Sequence, residues 1–307
     1  MNSNVKEGTC SDVASPQPIL NELNSRRRFL KAGTWGAAGL ALYSGGLERH
    51  WIEITHREIY LRGLPADFDG WRIAQLSDIH MDEYTEPFFL RHAIYLINKM
   101  QPDMVVLTGD YVSFGISSIK YAVGAAWQCA NILREIRCRP LYAVLGNHDV
   151  QVGEKEVTAA LMASGITVLT NACLPIVHRG GRIWLAGTDD PVNGRPDLDL
   201  AVPVSIRNVP NEPVVMLCHA PDYVDDLLAH PAGKVVGLML SGHTHGGQIR
   251  LPLIGPLWLP LLGRKYIDGW FKFGDLQLYV NRGLGTMSLP FRLYCPPEIT
   301  LITLRTG

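Results

Sequence analysis

The sequence predicts an α/β fold in which two mixed sheets pack together with helices outside. In the first half, short apolar runs alternate with segments of helical spacing, which favours a parallel sheet with right-handed crossovers. The second half is richer in strands and hairpins, which a second sheet accommodates. Five apolar runs each lead into a cluster of Asp, Asn or His, and open α/β sheets build their sites just beyond the carboxyl ends of strands.

Taken in order, Trp51 to Leu61 alternates enough to be strand material, with a hairpin as one option. Trp71 to Leu76 is a strand, and Pro87 to Met100 has helical spacing, with Phe89, Ala93, Leu96 and Ile97 on one face. Met104 to Leu107 is a buried strand, Ser118 to Ile136 a long helix, and Leu141 to Leu145 a third strand. Glu154 to Ser164 reads as helix and Thr167 to Leu169 as strand. Ile176 to His178 and Arg182 to Ala186 form a hairpin around Gly180-Gly181. Strands follow at Val214 to Leu217, Val235 to Leu240, Leu276 to Val280 and Ile299 to Leu304, with a short helix at Pro221 to Ala229. No composition shift marks a boundary after about residue 50, so one domain is expected from residue 51 to 307.

At 307 residues the chain has ample surface to bury. Its formal net charge of −1 offers no basic excess, so nucleic acid is not an expected partner. The six cysteines lack CxxC spacing and read as unpaired thiols, with a bridge closing the 128–139 loop left open.

The amino terminus reads as an address. Residues 1–24 are polar and without hydrophobic periodicity, and Cys10 lies among them. Ser25-Arg26-Arg27-Arg28-Phe29-Leu30-Lys31 and the uncharged stretch Ala32 to Leu47 then resemble a twin-arginine export signal. The stretch is shorter than the ~20 residues of a comfortable membrane span, and no clean Ala-x-Ala site follows it. Residues 1–47 are therefore expected to be a signal peptide or a retained amino-terminal anchor. Export would place the domain in the periplasm or on the outer face of the inner membrane. A retained anchor with a cytoplasm-facing domain stays open.

The five clusters are Asp78-Ile79-His80, Gly109-Asp110, Gly146-Asn147-His148-Asp149, Cys218-His219 and Gly242-His243-Thr244-His245. Asp78 and His80 are two apart, as are His243 and His245, and in extended chain such pairs project to the same side. Oxygen and imidazole donors favour Mn, Fe or Zn over soft-metal or closed structural sites. One carboxylate can bridge two cations. A pair of ions about 3.5–4 Å apart suits phosphate-ester hydrolysis, because it clamps non-bridging oxygens and lowers the pKa of a water.

The order Asp-x-His, Gly-Asp, Gly-Asn-His-Asp, His, Gly-His-x-His, over Asp78 to His245, resembles the calcineurin-type metallophosphoesterase superfamily. Residue by residue, the resemblance implies Asp78, His80 and His245 on one divalent metal and Asn147, His219 and His243 on the other, bridged by Asp110. It implies that His148 stabilises phosphoryl oxygens or protonates the leaving group, and that Asp149 orients it by a hydrogen bond. It further implies a four-layer α/β/β/α sandwich. Gly187-Thr188-Asp189-Asp190-Pro191, Thr244 to Ile249, Gly263 to Tyr266 and Tyr279 to Gly285 resemble a membrane-associated branch. That branch includes hydrolases of UDP-2,3-diacylglucosamine and exported phosphodiesterases.

The activity expected is hydrolysis of a phosphate diester or pyrophosphate bond in a phosphorylated small-molecule or lipid substrate. A non-catalytic, metal-holding envelope protein is the alternative, and degenerate ligands would mark it. Other metallohydrolases carry His-x-His near the start of their ligand series, whereas here it comes last. Asp189-Asp190 reads as a solvated turn and Arg282 as a surface ion pair, each with a site role as the second option. The almost wholly apolar Leu251 to Leu262 is either a rigid loop on the core or an exposed lip facing acyl chains or a bilayer, with Arg264 and Lys265 behind it.

Overall fold

The computed structural model describes residues 1, 17–81, 84–115, 118–209 and 211–307. The polar lead, Cys10 included, therefore lies mostly outside the described residues. The chain divides into two compact units, Met1–Tyr43 and Ser44–Gly307. The first carries helix α1 (Gln17–Leu42), which contains the Ser25 to Lys31 motif. Among the described residues no helix is long and apolar enough to cross a membrane.

The second unit opens with β1 (Glu53–Leu61), then β2 (Arg72–Leu76), α2 (Pro87–Met100), β3 (Met104–Leu107), α3 (Ile119–Leu133), β4 (Leu141–Ala143), α4 (Asn147–Ala163) and β5 (Thr167–Val168). These strands, joined by the last strand β14 (Glu298–Thr306), form one sheet in the order β1-β14-β2-β3-β4-β5. Strands β2 to β5 run parallel and β14 is antiparallel to β2. β1 is a single strand along β14 rather than a hairpin, paired from Glu53–Glu298 to Leu61–Thr306.

The second sheet takes β6 (Ala172–His178), β7 (Gly181–Gly187), β8 (Val214–Leu217), β9 (Val236–Ser241), β12 (Gly269–Phe273) and β13 (Leu276–Val280), in the order β12-β13-β9-β8-β7-β6. Between β9 and β12 a short hairpin pairs β10 (Arg250–Leu251) with β11 (Gly255–Pro256). Helices α5 (Leu198–Ala201), α6 (Val204–Arg207) and α7 (Val224–Ala229) complete the unit.

Three apolar clusters give the layer order. Ile73, Val106 and Val144 of the first sheet meet Leu185, Val215 and Leu238 of the second, which fuses the sheets face to face. The outer face of the first sheet packs Ala74, Val105 and Leu107 against Leu90 and Ile97 of α2, Ala126 of α3 and Leu161 of α4. The outer face of the second buries Met216 and Val214 against Leu198, Ile206 and Leu227 of α5, α6 and α7. The result is a four-layer α/β/β/α sandwich. Strands buried on both faces read as continuous apolar runs, which is why β3 and β8 stand out in the sequence.

One expectation is revised and one open option is closed. Helix α4 begins at Asn147 rather than Glu154, because Gly153 has a non-helical backbone (φ 150°, ψ 98°) that interrupts the apolar periodicity inside the helix. The option of a bridge closing the 128–139 loop is not realised: Cys129 and Cys138 are not joined by a disulfide.

Candidate metal centre

The carboxyl ends of β2, β3 and β4 in one sheet, and of β8 and β9 in the other, open on the same cleft. Directly beneath it Gln75 Nε2 donates to Thr108 Oγ1 at 3.1 Å and to Ser241 O at 2.8 Å, tying the sheets together. The loops above hold two groups of buried donors. Asp78, His80 and His245 have ligand atoms within 4.8 Å of one another, and so do Asp110, His219 and His243.

Left-handed backbone turns, rather than the pleat of an extended chain, make these side chains converge. Asp78, His80, Asp110, His243 and His245 have φ of 50°, 49°, 55°, 72° and 50°. Asp and His tolerate this region better than most residues, and such turns concentrate at functional sites. Close approach does the rest. A Cβ on Gly242 would collide with Ser77 Oγ and the Asp78 carboxylate, and one on Gly146 with the Asp110 carboxylate.

His80, His219 and His243 are each oriented through the ring nitrogen facing away from the cleft, whereas His245 Nδ1 is buried without a hydrogen-bond partner. His80 Nδ1 meets Ser113 Oγ at 2.8 Å, while its Nε2 lies 3.1 Å from His245 Nε2. His219 Nδ1 donates to Thr108 O at 2.7 Å, and His243 Nε2 donates to Leu261 O at 2.7 Å. These bonds leave His219 Nε2 and His243 Nδ1 facing each other at 3.1 Å. Asp110 stands between the groups: its Oδ2 lies 3.2 Å from His219 Nε2 and 3.7 Å from His80 Nε2. Its Oδ1 accepts from the His148 backbone N–H at 3.0 Å.

Asn147, His148 and Asp149 form the first turn of α4. His148 Nδ1 accepts from Phe114 N at 2.8 Å. Asp149, expected to orient His148, does something else. Its carboxylate accepts from the backbone N–H groups of Asp110 (2.7 Å), Tyr111 (2.9 Å) and Gly146 (2.9 Å). These N–H groups, with that of Val112 at 3.4 Å, need an acceptor, and Asp149 supplies it, locking the β3 and β4 loops together.

A match to the calcineurin-like phosphoesterase family model spans residues 72–247. The chain belongs to that family. The uncharacterized metallophosphoesterase YkuE of Bacillus subtilis is 37% identical over 92% of this chain and 98% of its own length. The phosphodiesterase YaeI of Escherichia coli is 34% identical over 91% of this chain and 99% of its own. Among solved structures, a dimetal phosphatase from Danio rerio aligns with 76% of this chain and 99% of its own, at 12% identity and a TM-score of 0.47. The protein is a phosphoester hydrolase.

The donor set of this phosphoesterase fits divalent cations. Burial, opposed by Asp110, holds His80 at about 3, and burial also takes His243 to about 3, so both offer neutral lone pairs. At His219 Asp110 outweighs burial and lifts the imidazole to about 10. The Asp110–His219 pair thus favours a positive charge, the place a cation would take. Burial and Asp110 push Asp78 up, to about 6, against the pull of His219. Asn147 Oδ1 is buried without a hydrogen-bond partner. A buried orphan oxygen is costly unless something electropositive meets it.

Sequence reasoning underweighted Asp190. The 189–190 turn is not solvated: Asp190 is fully buried, with Oδ2 accepting from Val192 and Asn193 N–H and Oδ1 unpartnered. Burial raises it to about 6 against the pull of His219, and Asn193 Nδ2 donates to Asn147 O at 3.3 Å. The signal was present, since Thr188-Asp189-Asp190 follows the end of β7 as the other clusters follow their strands. Ser113 and Phe114, which orient His80 and His148, carry no sequence signal. Arg282 is an ion pair, with Nε 3.1 Å from Glu298 and NH2 2.9 Å from Glu53.

Proposed function

We propose that this phosphoesterase hydrolyses phosphate diester or pyrophosphate bonds with two divalent ions, Mn, Fe or Zn, in a lipid-linked or cell-envelope substrate. The observation that carries the reading is Asp110 Oδ2, one carboxylate oxygen set between two imidazole-bearing groups. Asp78, His80 and His245 would hold one ion, Asn147, His219 and His243 the other, and Asp110 both. When bound, such a pair neutralises phosphate oxygens and supplies a water of lowered pKa.

The chain's own residues do the remainder. His80 and His243, kept neutral by burial, and the carboxylates of Asp78 and Asp110 bind and orient the ions. His148, with Nδ1 accepting from the Phe114 N–H, keeps its proton on Nε2 and offers that N–H as a hydrogen bond to a phosphoryl or leaving-group oxygen. Asp149 acts at one remove, by fixing the loops that carry Asp110 and His148.

An envelope substrate is supported by the apolar hairpin beside His245, where Leu253, Ile254, Leu257, Trp258 and Leu261 are exposed. The Leu251–Leu262 stretch is a candidate membrane contact. Lys265 contributes less to it than its charge suggests, since Nζ is held 2.9 Å from Asp225. Export by the twin-arginine route is supported by Ser25 to Lys31, and Arg26→Lys with Arg27→Lys should retain the protein in the cytoplasm on fractionation.

The deciding assay is hydrolysis of bis-p-nitrophenyl phosphate with added Mn²⁺, with and without chelator, followed by a panel including UDP-diacylglucosamine, glycerophosphodiesters and wall-type polymers. Activity lost with chelator and in Asp110→Ala supports the reading. Inactivity with every metal removes it.

A further inference from the structure

We infer that the cavity between the β10–β11 hairpin and the 287–289 turn binds one hydrocarbon chain of the substrate, with the scissile phosphate at the neighbouring candidate metal centre. The cavity is about 340 Å³, within the range of small-ligand pockets. Ile249, Leu257, Trp258, Met287 and Leu289 line it together with His245. His245 turns Nε2 toward His80 at 3.1 Å, so the apolar wall and the metal centre share one side chain.

Gln248 and Thr244 on that wall are already committed. Gln248 Nε2 donates to Met287 O at 3.1 Å and Leu289 O at 3.0 Å, and its Oε1 accepts from Met287 N at 2.8 Å. Thr244 Oγ1 donates to Ile267 O at 2.5 Å and accepts from Gly246 N at 3.0 Å. A ligand entering there meets hydrocarbon and satisfied amide, which rewards methylene groups and offers a second phosphate or a sugar little. A larger, more open hollow of about 660 Å³ beside Arg49, Glu86 and Phe291 includes none of the candidate ligands. The smaller cavity shares His245 with the cluster, so it can hold one end of a molecule whose other end lies there.

The inference rests on the hydrolytic reading above, and its test separates the two. Full-length protein with Mn²⁺ is given alkyl p-nitrophenyl phosphate diesters, methyl to decyl, each below its aggregation concentration. Each methylene entering the cavity should raise kcat/KM about fourfold until the chain outgrows it. Leu257→Glu, at an exposed part of the wall, should lower the octyl-to-methyl ratio by at least about tenfold. An alkyl phosphate brominated at its terminal carbon should quench Trp258 emission, and Trp258→Phe should abolish that quench. Cleavage of bis-p-nitrophenyl phosphate without chain-length dependence would overturn the cavity assignment and leave hydrolysis standing, as would undiminished quenching in Trp258→Phe. If no diester is cleaved, the hydrolytic reading fails and the quench alone decides whether a chain occupies the cavity.

Discussion

The backbone N–H of Phe114 donates to His148 Nδ1 at 2.8 Å. An acceptor at Nδ1 means that the neutral ring carries its proton on Nε2. His148→Ala should therefore lower kcat by about 10²–10⁴. The loss should be larger for diesters with alkyl leaving groups than for p-nitrophenyl esters, since more negative charge builds on the oxygen that Nε2–H would meet. Equal losses across both series would end the placing of His148 at the leaving-group oxygen.

Gly242 sits where a methyl group would strike Ser77 and Asp78. His243 N donates to both Asp78 oxygens at 3.0 Å, so the two loops cannot separate without breaking that contact. Gly242→Ala should destabilise the fold by about 1–3 kcal/mol and reduce bound metal, read by calorimetry and elemental analysis. Full metal content in a stable variant would show that the loops yield freely.

Glu298 is buried beneath the 281–285 loop, accepting from Tyr279 Oη at 2.6 Å and from Arg282 N and Nε at 3.0 and 3.1 Å. Burial raises its pKa, but Arg282 and these donors pull it below the ordinary value of 4.5. A folded value below the unfolded one stabilises the protein above the unfolded pKa and is lost as pH falls through the folded pKa. Glu298→Gln should cost about 1–3 kcal/mol at neutral pH. The gap to wild type should narrow as pH falls below 4.5 and on through the lowered folded value, measured by urea unfolding across pH. A gap unchanged down to pH 3 would contradict the pairing.

The hairpin tip exposes Leu253 fully and Ile254 largely to solvent. If it meets a bilayer, Leu253→Glu with Ile254→Glu should weaken liposome flotation by about tenfold or more while leaving far-UV circular dichroism unchanged. Flotation as strong as wild type would assign membrane contact elsewhere.

Much of the fold is legible because its strands are buried on both faces. Met104–Leu107 and Val214–Leu217 have the bounds their apolar runs announce. The first turn of α4 is hidden because Gly153 breaks the periodicity, and β12 because Gly269–Phe273 alternates around an exposed Trp270 without a continuous run. The 189–190 turn was misjudged for another reason: Asp-Asp-Pro is a common solvated turn, and only neighbouring chain decides whether it is buried.

The sequence by itself determined which residue types reach the cleft, since donors placed just beyond apolar strands must come out at one end of a sheet. Tertiary structure alone decided how they are held. The groups that orient the rings are the Phe114 N–H, Thr108 O, Leu261 O and Ser113 Oγ. Three of the four are backbone atoms, which every residue possesses. Their position depends on left-handed turns and on two sheets meeting face to face, neither of which any local pattern encodes.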